Sequence, residues 1–337
     1  MAEIRIGING FGRIGRCVLK QMLDCNGFRI VGINDVAGIS DLAYLLKYDS
    51  VHGWYRLKVE EDGRNFQIDG HEIPFFSRRD PSEIPWGDVG ADIVIEGTGA
   101  FRSRDKASLH LKAGAKKVLI SAPSADADEM FVYGVNTDLY DGSRHQVISA
   151  ASCTTNCLAP VAKVLLDSFG VEHLMITTVH AYTSSQALMD TPMRKRRRGR
   201  SAALSIVPTT TGAAKATAKV LPELEGRVDG MALRVPVPDG SLTDIVAVLQ
   251  KDTTADELNS VLRQAAAAGP LEGVLRVSDE ALVSRDILGD PHSSIIDSES
   301  TMILRGRVAK VLSWYDNEWG YSARLVDMAR LVAEHGY

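Results

Sequence analysis

Apolar residues in the first half of the chain fall into short unbroken runs, each closed by glycine, proline or a small polar residue. "EIRIGING" (3–10), "FRIVGIND" (28–35), "ADIVIEGTG" (91–99), "KKVLISAP" (116–123) and "HQVISAAS" (145–152) have strand length and read as buried strands. Between them, "GRIGRCVLKQMLD" (12–24) and "DKASLHLKAG" (105–114) carry helical spacing. Strands that alternate with helices predict βαβ units and a mostly parallel sheet.

The texture changes after residue 153. One helix over about 154–168 leads to "LMITTVH", a strand ending on His180, and then to the long polar loop 181–205. A loop of that length inside a compact unit points to function. "IVPTTTGAAKATAKVL" (206–221) reads as the start of another helix. "GMALRVPVP", "LTDIVAVLQ" and "RVAKVLSWYD" alternate with period two and predict a mixed or antiparallel sheet with helices on one side. The final segment, 321–337, is an amphipathic helix. The fold expected is therefore α/β. A dinucleotide-binding domain of the Rossmann type, residues 1–152 completed by a C-terminal helix over 317–337, accompanies an α+β catalytic domain over 153–316.

Composition narrows the classes. At 337 residues, 45% apolar and 24% charged, the chain has the mix of a globular protein, and its formal net charge of −5 argues against general nucleic-acid binding. No apolar run approaches ~20 residues, and the start "MAEIRIGING" has no signal-peptide pattern. A cytoplasmic protein without a membrane segment is expected. The four cysteines, 17, 25, 153 and 157, lack zinc-site spacing, so free thiols and no metal are expected.

"GINGFGRIGR" places Gly10, Gly12 and Gly15 in a GxGxxG arrangement between a strand and a helix. That context lets the backbone approach a pyrophosphate at the helix start. Asp35 ends the next strand, twenty residues after Gly15. A carboxylate there accepts ribose hydroxyls and opposes a 2′-phosphate, which favours NAD. Arg13 and Ile14 lie inside the turn, and Arg13 is read as a pyrophosphate contact.

In "ISAASCTTNCLAP" (148–160), Cys153 stands among hydroxyls where a strand gives way to a helix. The positive end of a helix and a nearby imidazole both lower a thiol's pKa, and His180, at a strand end facing the polar loop, is the candidate imidazole. Cys157, one turn further on, reads as structural.

Seven motifs in order and spacing resemble phosphorylating glyceraldehyde-3-phosphate dehydrogenases: "INGFGRIGR", "IND", "SAASCTTNCLAP", "TVHAYT", "PTTTGAAKA", "LRVPVP" and "SWYDNEWGYS". The resemblance implies Cys153 as nucleophile and His180 as base, with a thiohemiacetal and then a thioester on Cys153. It implies Ser152, Thr154, Thr211 and Gly212 for inorganic phosphate, and Thr183, Arg198 and Arg234 for the substrate's own phosphate. Thr209, Thr210 and Thr211 also read as a helix cap. Asn317 resembles the residue holding the nicotinamide carboxamide, and Tyr321 a neighbour of that ring. Thr98 and Ser121, at strand ends, resemble cofactor contacts, and Arg79 an adenine-side contact. A homotetramer is implied, with Arg200 in an ion pair between subunits.

Two departures stand out. "MRKRRRGR" (193–200) carries Arg194, Lys195 and Arg196 beyond what the resemblance assigns. Their charge could meet a 2′-phosphate and admit NADP as a secondary cofactor, against the opposition of Asp35 and Pro192. Ser185 stands where many members of that family carry an aspartate. Two other readings remain: an erythrose 4-phosphate dehydrogenase, which would share Cys153 and His180, and a non-catalytic protein using the basic loop on RNA or a partner.

Overall fold

The computed structural model describes residues 3–337. The chain divides into two compact units, one made of the chain up to Phe131 with Asp138–Ala151 and Ser322–Tyr337, the other of Val132–Thr137 and Ser152–Tyr321.

The first unit is built on a nine-stranded sheet. Its order is Glu129–Met130, Val147–Ser149, Lys117–Ile120, Ile93–Glu96, Ile4–Asn9, Phe28–Asn34, His71–Phe76, Asn65–Ile68 and Val59–Glu61. The strand Ile4–Asn9 pairs in parallel with Phe28–Asn34 on one side and Ile93–Glu96 on the other. Ile6, Gly7, Ile8 and Asn9 are all buried along it, residues of both faces, as a strand covered on both sides requires. The last three strands form an antiparallel extension. Residues 105–114 make two one-turn helices, Arg104–Ala107 and Leu109–Lys112, instead of one. The break falls at Ser108, whose hydroxyl donates to Asp105 O and competes with the helical ladder.

The second unit carries a seven-stranded mixed sheet: Val207–Thr210, Val228–Val235, Val171–Ala181, Ser241–Leu249, Val308–Tyr315, Ser294–Leu304 and Leu275–Ser278. Val171–Ala181 runs parallel to Val228–Val235 and antiparallel to Ser241–Leu249. Burial alternates residue by residue along Ser241–Leu249, so the period-two pattern there reflects one covered face. Residues 207–210 form an edge strand, and the helix expected from 206 begins only at Ala213. Pro208, which lacks an N–H, is tolerated because the strand lies at the sheet edge.

The helix Cys153–Phe169 packs against this sheet and against the helices Ala213–Val220 and Ala255–Ala267. Ser152 caps it by accepting from Thr155 N at 3.1 Å, and Gly170, with φ of 67°, ends it. Helix Trp319–Glu334 closes the chain. Among the described residues no helix is long and apolar enough to cross a membrane.

Candidate active site

In the first unit a cavity of about 410 Å³ opens at the carboxyl ends of the parallel strands, lined by Gly10, Gly12, Asp35, Arg79 and Thr98 among others. Gly10 has φ of 92°, and a Cβ there would lie 2.6 Å from Thr98 N. A Cβ on Gly15 would meet Gly10 O at 2.2 Å. Only glycine lets strand, turn and helix approach this closely, and the helix Arg13–Asp24 starts at the cavity with Gly12 as its cap. The donor set fits a dinucleotide: helix-start N–H groups for a pyrophosphate and a carboxylate on the neighbouring strand.

Asp35 accepts from Phe11 N at 2.7 Å and from Ala37 N at 2.9 Å, which fixes its carboxylate at the strand end. Arg13 is held by Asp49, with Nη1 2.8 Å from Oδ2. Burial opposes the charge on Asp49, yet the Arg13 hydrogen bond and the N–H groups of His52 and Val51 outweigh it and pull the carboxyl down to about 2. Ile14 sits half-buried in the first helical turn, and Ser121 Oγ donates to Glu96 O at 3.0 Å.

Beneath the cavity lies a network that reading the sequence missed. Glu96 is buried at the end of its strand, and its carboxylate accepts from Asn9 Nδ2 at 2.5 Å and from Thr98 N at 2.8 Å, with the Thr98 hydroxyl as a further donor. Trp86 Nε1 donates to His110 Nδ1 at 2.9 Å, so the other ring nitrogen of His110 carries the proton toward Glu96 Oε2, 3.1 Å away. The one available signal was the Glu that closes the apolar run "IVIE".

The second unit holds the thiol. Cys153 is the first residue of its helix, half-buried, with Sγ 3.5 Å from His180 Nε2. His180 Nδ1 lies 2.7 Å from Ala181 O and so carries the proton, leaving the Nε2 lone pair toward sulfur. Arg234 Nη1, 3.0 Å from Nδ1, is also a donor and takes the same carbonyl at 2.8 Å. Burial and then the Arg234 charge push His180 down to about 3, which keeps the imidazole neutral. Burial pushes the Cys153 thiol up, against the pull of Arg234 and the Thr154 hydrogen bonds. The thiol proton is therefore retained in this state, contrary to the lowering expected from the helix start, and a neutral base faces it.

Cys157 is fully buried, its Sγ 3.3 Å from Ser313 Oγ, and burial pushes it up to about 12. That is an inert thiol. Tyr315, unnoticed in the sequence, joins Thr154 Oγ1 at 3.0 Å and Thr178 Oγ1 at 2.9 Å, with its ring edge-on to His180. The Thr154 hydroxyl thus has an interior partner.

Around this pair the structure gathers Thr183, Arg198 and Arg234. Arg234 Nη1 is 3.4 Å from Thr183 Oγ1, Thr183 meets Ser185 Oγ at 2.8 Å, and Arg198 reaches Ser185 Oγ at 3.0 Å and Thr209 Oγ1 at 3.1 Å. Two guanidiniums beside hydroxyls suit a phosphate. Thr211 Oγ1 accepts from Ala213 N, and Gly212 caps that helix, so capping is the role visible there. In the basic loop, Lys195 Nζ donates to Thr210 and Arg200 pairs with Asp190 of its own chain at 2.8 Å. Arg194 and Arg196 are exposed. Asn317 is buried, with Oδ1 accepting from Ser241 Oγ at 2.5 Å, and Tyr321 is buried as well.

Comparison with known proteins is decisive. The family model "Glyceraldehyde 3-phosphate dehydrogenase, NAD binding domain" matches residues 4–104, and "Glyceraldehyde 3-phosphate dehydrogenase, C-terminal domain" matches 152–317. The chain belongs to the glyceraldehyde 3-phosphate dehydrogenase family.

Curated relatives bearing that enzyme's name agree with the match. The chain is 53% identical over 333 residues to the protein of Geobacillus stearothermophilus, covering 99% of both chains. It is 52% identical to that of Streptomyces coelicolor, covering 98% of each, and 51% identical to glyceraldehyde-3-phosphate dehydrogenase 1 of Bacillus subtilis, covering 99% of each. Within the family's two matched regions fall Gly10 through Thr98 on one side and Cys153, His180, Arg198, Arg234 and Asn317 on the other, whereas Ser121 and Tyr321 lie outside both.

Proposed function

We propose that this dehydrogenase oxidises D-glyceraldehyde 3-phosphate with NAD and inorganic phosphate, reversibly, to 1,3-bisphosphoglycerate. The observation that carries the reading is the Cys153–His180 pair, 3.5 Å apart with Nδ1 of the imidazole committed to Ala181 O. His180 Nε2 takes the thiol proton as sulfur bonds to the aldehyde carbon. The oxyanion that forms faces the Cys153 N–H at the helix start and collects the proton from His180, giving a thiohemiacetal. Neutral again, His180 withdraws that hydroxyl proton as the carbon loses hydride, and a thioester remains on Cys153. NAD supplies the hydride acceptor.

Attack of phosphate on the thioester carbonyl releases the acyl phosphate, and the thiolate regains a proton. Ser152, Thr154, Thr211 and Gly212 are assigned to that phosphate, and Thr183, Arg198 and Arg234 to the phosphate on the substrate. Gly10, Gly12, Arg13, Ile14, Gly15, Asp35, Arg79, Thr98, Ser121, Asn317 and Tyr321 are assigned to NAD. We extend the same reading to a cytoplasmic homotetramer, which sedimentation of the purified protein tests.

NADH formation from glyceraldehyde 3-phosphate, with and without inorganic phosphate, tests the chemistry. Sustained turnover only with phosphate, and a burst of one equivalent without it, is the expected result. Steady turnover without phosphate would mean that water resolves the thioester and would overturn the phosphate assignment.

A further inference from the structure

Ser241 begins the strand Ser241–Leu249 and its side chain is completely buried between two groups of the candidate site. Its Oγ accepts from Ala181 N at 3.1 Å and stands 2.5 Å from Asn317 Oδ1. A serine hydroxyl has one hydrogen, and with Ala181 N–H as donor on one side, that hydrogen goes to Asn317. The amide is thereby locked: its oxygen faces Ser241 and its nitrogen faces away. Among the described residues no acceptor takes the Asn317 Nδ2 hydrogens, so the site presents a donor.

We propose that Ser241 is a positioning residue which fixes Asn317 as an outward hydrogen-bond donor. Asn317 then selects a pyridine ring whose 3-substituent carries a carbonyl acceptor and discriminates against one that can only donate. The inference rests on the assignment of Asn317 to the nicotinamide in the proposed function. Its physical basis is the cost of facing a donor with a donor in a buried site. Without the Ser241 hydroxyl, the amide can turn and offer its oxygen instead.

Direct binding tests this without turnover. Dissociation constants of NAD, the 3-acetylpyridine analogue and the 3-aminopyridine analogue are measured by titration calorimetry. The wild type is expected to bind the acetyl analogue about 10-fold more tightly than the amino analogue. Ser241→Ala should shrink that ratio to within about 3-fold, and adding Ser241→Ala to Asn317→Ala should change the ratio no further. A purely structural role would weaken all three ligands together and leave the ratio intact, which would overturn the proposal. A ratio near one in the wild type would overturn it too. Should the alanine variant not fold, Ser241→Cys, of similar volume and weaker hydrogen bonding, replaces it with the same expectation. Failure of the wild type to bind NAD at all would sink the cofactor assignment itself, an outcome distinct from either.

Discussion

His180 and Arg234 share one acceptor: Nδ1 of the imidazole and Nη1 of the guanidinium lie 2.7 and 2.8 Å from the carbonyl oxygen of Ala181. The shared carbonyl settles which ring nitrogen carries the proton, and the adjacent positive charge disfavours a second one. The imidazole can therefore accept from Cys153 yet resists holding the charge, as a proton shuttle should.

Replacement of His180 by Gln keeps a polar side chain and removes the base. Turnover should fall by about 10²–10⁴-fold, with a parallel fall in the rate at which iodoacetamide alkylates Cys153. An unchanged alkylation rate would show that the imidazole does not serve the thiol.

The same histidine should make stability depend on pH. Its folded value is about 3 against the ordinary 6.5, so between those limits the unfolded chain binds a proton that the folded chain refuses. Stability contributed by the neutral ring is intact above 6.5 and declines as pH falls toward 3, by on the order of a few kcal/mol in total. Urea unfolding at pH 7.5 and pH 5 should show a smaller acid loss for the Gln variant than for the wild type.

Asp49 acts in the same direction, in a lower pH window. Its folded value is about 2, so the Arg13 pair stabilises the fold above the ordinary carboxylate range and the contribution disappears as pH falls to 2. Arg13 is partly exposed and its contribution is screened, so Asp49→Asn should cost only about 1–2 kcal/mol at neutral pH. A shifted urea midpoint with unchanged slope checks it.

If Arg198 holds the substrate phosphate as proposed, it should distinguish substrates by that group. Arg198→Ala should raise KM for glyceraldehyde 3-phosphate by about 10- to 100-fold, the loss of a charged hydrogen bond. Unphosphorylated glyceraldehyde should change by less than about 2-fold, and equal changes for both would remove the phosphate role.

Asp35 should govern cofactor choice. Asp35→Ala ought to raise the NADP to NAD ratio of kcat/KM by about 10-fold or more, since a carboxylate facing a 2′-phosphate is lost. Replacing Arg194, Lys195 and Arg196 together with Ala should lower that ratio. If it stays the same, the basic run has no part in admitting NADP.

Much of this protein is written locally. The runs "EIRIGING" and "FRIVGIND" announce adjacent parallel strands, and Ser152 before Cys153 announces a capped helix start, because each signal fits within a few residues. Local reading failed where neighbours competed. Ser108 turned its hydroxyl onto the backbone and split a helix, and Pro208 went to a sheet edge because a partner strand was available.

The amino-acid sequence by itself determined the α/β pattern and the glycine turn, and it singled out Cys153 and His180 as the candidate thiol and imidazole. Tertiary structure decided the tautomer of His180, the turn of the Asn317 amide and the pairing of Arg13 with Asp49. It also decided the burial of Glu96 against His110. The reason is the range of the forces: strand and helix periodicities arise between residues a few positions apart. The hydrogen bonds of the candidate site join residues such as Ser241 and Asn317, 76 positions apart, whose meeting exists only once the strands that carry them have packed.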